Sequence, residues 1–161
     1  MSGEKREKVV LCVSDKDKLT QPLLDLAGGE LLKGKEVHLL HIFKQEVYAY
    51  EFSPFVWPDD KIFEELKLNL QSRLDNLLAK IVPDENERKV AKAKIYLHSS
   101  PKQKIVDYLT EHDADMVVVV TRGKHGFAGL FTSSTAEHLM KFSPCHVLIL
   151  RDEMKSFKES K

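Results

Sequence analysis

The chain has 161 residues, with 25 basic and 25 acidic side chains in balance. That length suits one domain whose core is large enough to need no disulfide or metal staple. Charge balance without a basic stripe argues against nucleic acid as a partner. No apolar run approaches the about 20 residues that span a bilayer, and the charged start "MSGEKREK" lacks the apolar stretch of a signal peptide; a soluble, cytoplasmic protein is expected.

In chain order, "KVVLCVS" (8–14) is a short apolar run without alternation, as expected of a strand buried on both faces. A helix is predicted from about Leu19 to Lys33, with Thr20 and Pro22 in its first turn, Gly34 at its end, and Gly28 and Gly29 weakening its interior. "EVHLLHIF" (36–43) is the second buried strand. The connection that follows crowds Tyr48, Tyr50, Phe52, Phe55 and Trp57 into 47–57. It reads either as a loop covering apolar surface or as a contact surface for a protein partner.

Pro58, Asp59 and Asp60 suit the start of a long helix, along which Ile62, Phe63, Leu66, Leu70, Leu74, Leu77, Leu78 and Ile81 draw one apolar stripe. "PDENERK" is a polar turn. "VAKAKIYL" places Ala91, Ala93, Ile95 and Leu97 inward and Lys92, Lys94 and Tyr96 outward, the pattern of a half-exposed edge strand. Ser100 and Pro101 suit the N-cap and first position of another helix, "DMVVVVT" is a buried strand, a helix runs from about Thr135 to Lys141, and "HVLILR" is the last strand. The order β-α-β-α-β-α-β-loop-α-β predicts an α/β fold: one doubly wound domain, a parallel sheet with about four helices on both faces. The core spans about 8–151 of the single domain 1–161, and 152–161 is a charged tail.

Cys12 and Cys145 lie in or beside apolar strands and read as core thiols. His38 and His41 are three apart on one strand, so they face opposite sides and cannot share a metal ion. No metal site is predicted.

In a doubly wound sheet, ligands gather at the carboxyl ends of strands where the strand order reverses. Two polar clusters fall at such ends: "SDKD" (14–17), which contains Asp15, and "TRGKHGFAGLFTSSTAEH" (121–138). If the strands before them are neighbours, the clusters share a crevice. Gly123, Gly126 and Gly129 free the backbone for close approach to a ligand, and Ser134-Thr135-Ala136-Glu137 is a capping box that starts a helix. A helix start offers free amides to an anion, with Ser133, Ser134 and Thr135 as hydroxyl donors and Arg122 or Lys124 as charge. The stretch is neither a Walker loop nor a dinucleotide fingerprint, so a phosphate cradle and a plain connection both stand.

"KVVLCVSD", "EVHLLHIF", "SSPKQKIVDYLTEHDADMVVVVTRGKHG" and "SSTAEHLMKFSPCHVLILR" together resemble the universal stress protein family over nearly the whole chain. The resemblance implies a five-stranded parallel sheet of order 3-2-1-4-5 and a homodimer formed by the last strand, here 146–150. Nucleotide-binding members carry Gly-x2-Gly-x9-Gly-Ser/Thr after the fourth strand and an aspartate after the first. Here Gly123 and Gly126 resemble the first glycine pair, Asp15 the aspartate, Ser134 the hydroxyl, and Ser133 stands where the third glycine belongs. Six residues (127–132) separate Gly126 from Ser133, three fewer than in the pattern. The subgroup that does not bind ATP also has a paired serine and a shortened loop, and this chain is more similar to it at this site.

A dimeric, non-enzymatic stress-response protein with weak or absent ATP binding is therefore expected. The alternative is a switch that binds ATP or AMP, with Mg²⁺ and slow hydrolysis, using Asp15, Thr121, Arg122, Gly123, His125, Gly126, Ser133, Ser134 and Thr135. A phosphoacceptor receiver is set aside, since His98 and Arg151 stand near the strand ends where it needs an aspartate and a lysine. Catalysis through His125 with Ser133 or Ser134 lacks a third orienting residue.

Overall fold

The computed structural model describes residues 4–14, 20–49, 51–121 and 135–151. Five parallel strands form one sheet: β1 (Lys8–Cys12), β2 (Glu36–Lys44), β5 (Lys92–His98), β6 (Met116–Thr121) and β7 (His146–Arg151). Their spatial order is β5-β2-β1-β6-β7, which is the expected 3-2-1-4-5 arrangement counted over the parallel strands. A separate antiparallel hairpin, β3 (Glu46–Tyr48) with β4 (Phe55–Trp57), follows β2.

Helices α1 (Gln21–Ala27) and α2 (Asp60–Ile81) contribute to the core on one face, where Leu23, Leu74 and Leu78 meet Val9, Leu11 and Leu39. Helices α4 (Pro101–Glu111) and α5 (Thr135–Phe142) contribute to the other, where Tyr108, Leu109 and Leu139 meet Val10, Leu40 and Val117. Alternate residues of each central strand point to opposite faces, so β1 reads as an apolar run and β2 as one interrupted only by His38 and His41. The two histidines of β2 divide as the odd spacing requires. His38 packs against Tyr108 on the α4 face, and His41 packs edge-on against Phe43 on the α2 face.

Several expectations change. The first helix stops at Ala27 instead of running to Lys33, because Gly28 caps it and the chain turns through to Gly34, whose φ of 72° suits a residue without Cβ. The polar turn after α2 holds a fifth helix, the short α3 (Glu85–Arg88), whose first amides donate to the Asp84 carboxylate. Ser100 occupies the N-cap of α4 without a side-chain cap bond. Tyr96 does not point freely outward but is half-buried beside Tyr108 under α4, while Lys92 and Lys94 on the same face of β5 are exposed. The aromatic segment does not lie flat as a cover: Val47, Tyr48, Phe52, Phe55, Val56 and Trp57 are all exposed, Phe52 to 96%.

Candidate functional site

The sheet brings β1 and β6 together as hydrogen-bonded neighbours, with Val10 opposite Val117 and Leu11 opposite Val118. The two polar segments therefore leave adjacent strands at the same end, with the strand order reversing there, the position where open α/β sheets bind ligands. Beyond Cys12 the exit of β1 stays tied to β2. The Val13 amide donates to the Leu40 carbonyl at 2.9 Å, and the Val13 carbonyl accepts from His41 Nδ1 at 2.6 Å. A carbonyl only accepts, so Nδ1 carries the proton.

Of the candidate residues, the structure describes Thr121 and Thr135. Thr121 ends β6, and its hydroxyl leans on β7, donating to the Leu150 carbonyl at 3.4 Å. Thr135 opens α5, whose first turn carries Glu137 in an ion pair with Lys141 at 3.0 Å. Asp15, Arg122, Gly123, Lys124, His125, Gly126, Ser133 and Ser134 lie outside the described residues.

Beside the exit of β1, a groove of about 230 Å³ runs between α1 and α2, with Val13, Ser14 and Thr20 on one side and Arg73, Asn76 and Lys80 on the other. It is smaller than the roughly 300–1,000 Å³ typical of small-molecule pockets. A larger cavity of about 560 Å³ opens at the amino ends of the strands, lined by Glu7, Lys35, Asp115, Met116, Cys145 and His146. Glu7 and Lys35 pair with each other there, and Asp115 accepts from the Lys8 amide at 2.8 Å, a structural role at the end away from the crevice.

Burial pushes the Cys12 thiol up to about 12 and also raises Cys145, so neither is an activated nucleophile. Among the described residues, no group of three His, Cys, Asp or Glu side chains could hold a metal ion. Among them, too, no helix is long and apolar enough to cross a membrane.

The sequence alone did not single out His41 as the residue that ties down the exit of β1. Its position three residues before the end of β2 was visible, but the partner lies 28 residues away, across the sheet.

Comparison with known proteins agrees with this architecture. The model of the universal stress protein family matches residues 6–151. A universal stress protein of Methanocaldococcus jannaschii is 30% identical over 135 residues, covering 80% of this chain and 79% of the relative. Among solved structures, universal stress protein UspA from Lactobacillus plantarum superposes with a TM-score of 0.60 at 15% identity, over 92% of this chain and 100% of that one. A universal stress protein from Archaeoglobus fulgidus gives 0.57 at 20% identity, over 89% and 92%. The chain belongs to the universal stress protein family.

Proposed function

We propose that this protein is a cytoplasmic, non-enzymatic stress-response protein that works as a homodimer and binds ATP weakly or not at all. The observation that carries this reading is the spacing after β6. Six residues, 127–132, stand between Gly126 and Ser133, too few to wrap a triphosphate as a nine-residue rim does. A residue with a Cβ, Ser133, also stands in the sequence where the family pattern needs a glycine for close approach of the amide to phosphate.

Pairing through β7 is supported by the contrast between the two ends of the sheet. Strand β5 carries exposed Lys92 and Lys94, charges that guard an edge against further pairing. Strand β7 presents Val147, Leu148, Ile149 and Leu150 with no charge among them, and Ile149 is exposed. The aromatic hairpin at 47–57 is a second contact surface, for a protein partner.

A second reading is a regulatory switch that takes AMP or ATP, with Mg²⁺ and slow hydrolysis. It draws on solved relatives described in complex with cAMP, with dAMP (from Archaeoglobus fulgidus) and with AMP (from Arabidopsis thaliana), at 14%, 17% and 19% identity. Each of those ligands has a single phosphate, the smaller load that a shortened rim suits. Calorimetric titration of the purified protein with ATP–Mg²⁺ and with AMP separates the readings. No saturable micromolar ATP binding is expected. Such binding, lost in Asp15→Ala, overturns the first reading; saturable AMP binding alone assigns a monophosphate site.

A further inference from the structure

On the face of the sheet beneath α4 lies a chain of polar groups that no ligand reading uses. His38 is wholly buried in the middle of β2, paired in register with Val10 of β1 and Lys92 of β5. Its Nδ1 is 2.7 Å from the hydroxyl of Tyr108 on α4, and its Nε2 is 2.7 Å from Glu36 on its own strand. Tyr108 is as buried as His38. An ionised Glu36 only accepts, so Nε2 carries the proton and Nδ1 is left as an acceptor for the Tyr108 hydroxyl. In that state every member is satisfied, and the Tyr108–His38 bond ties α4 directly to the sheet.

We propose that Glu36, His38 and Tyr108 form an acid-sensitive latch, which holds α4 on the sheet while His38 is neutral and releases it when the ring takes up a second proton. The added proton sits on Nδ1 and faces the Tyr108 hydroxyl. That hydroxyl must then accept, and its own hydrogen turns away from its partner. Among the described residues no other hydrogen-bond partner meets it. A buried donor without an acceptor costs far more than a hydrogen bond gains, so the helix yields first.

Burial, more than the surrounding charges, favours the neutral ring. Burial lowers the His38 pKa, against the hydrogen bond and charge of Glu36, while Lys92 on β5 and His112 on α4 lower it further. Burial alone would raise the Glu36 carboxyl, but His38, Lys8 on β1 and Lys92 bring it below the ordinary range. The His112 ring lies 5.6 Å from His38 and 4.1 Å from Tyr108. It too is lowered, by burial and by Lys92, Lys8 and Lys94, against the pull of Glu111 on α4. Protonation thus gathers two imidazolium rings among three lysines. Tyr96 on β5 and Tyr108, whose pKa values burial raises, stay neutral throughout. With the folded His38 value depressed below the ordinary 6.5, the latch is intact above that pH and is lost as pH falls through the folded value.

Nitrogen-15 resonances of the histidine rings and native-state hydrogen exchange, followed between about pH 8 and 5, test the latch on the full chain. His38 should hold its proton on Nε2 at neutral pH. Below its titration, amide protection in 101–111, corrected for intrinsic exchange, should fall about tenfold per unit separating the folded and unfolded values. Protection in 60–81 should persist. Tyr108→Phe should raise the His38 titration and flatten the α4 response. The proposal is overturned if α4 ignores the titration of His38, if both helices lose protection together, or if His38→Gln keeps the acid step. Should His38→Gln not fold, the wild-type resonances and exchange decide alone.

Discussion

His41 and Val13 are joined by a hydrogen bond of 2.6 Å, from the ring Nδ1 to the backbone carbonyl, and it ties the exit of β1 to β2. His41→Leu leaves that carbonyl buried without its side-chain donor, at a cost of about 1–3 kcal/mol. Urea unfolding should show the loss, with His41→Asn recovering part of it. Any ligand that binds at the β1–β6 crevice should weaken in the same variant, because the exit of β1 is no longer held to β2 by a side chain.

Ile149 on β7 is the apolar side chain most exposed on the strand. Ile149→Lys would place on β7 the kind of charge that β5 already carries at Lys92 and Lys94. Sedimentation velocity should show a dimer for the wild type and a monomer for the variant, with the far-UV circular dichroism unchanged. A wild type that sediments as a monomer would refute the pairing.

Asp59 caps α2 by accepting from the Ile62 amide at 2.9 Å. Asp59→Ala should cost about 1 kcal/mol, read as a lower denaturant midpoint at constant slope. Asp84→Ala, at the cap of α3, should cost less. That helix has four residues and buries none of them, so little packing depends on its first turn.

The Cys12 thiol, pushed up to about 12 by burial with Cys145 adding to the shift, is almost entirely protonated at neutral pH. It should react with a disulfide reagent only when the protein unfolds. Cys145 is raised less, because a hydrogen bond from Ser143 works against its burial, and should react sooner. Equal rates at the two thiols would contradict this ordering.

The architecture was legible because it rests on repeated local patterns. The apolar runs of β1 and β6, and that of β2 around its two histidines, announce strands covered on both faces, and the stripe from Ile62 to Ile81 announces the 22-residue α2. Where one residue decides, local reading misjudged the outcome. Gly28 and Gly29 stop α1 at Ala27, although Leu31 continues its periodicity. Tyr96 looked outward by alternation, yet α4 packs beside it and half-buries it.

The amino-acid sequence by itself determined the fold class, a doubly wound parallel sheet, because hydrophobic periodicity is a property of neighbouring residues and right-handed crossovers leave few topologies. The strand order came from the resemblance to the family, and the pairing of β1 with β6 that joins the two polar segments is a fact of the tertiary structure. Only the tertiary structure decided what the polar groups of β2 do. His38 and His41 look alike in "EVHLLHIF", but one meets Tyr108 70 residues away and the other meets Val13 28 residues away. Those partners are chosen by the packing of α4 and the pairing of β1, and a buried polar atom takes whichever partner the fold delivers.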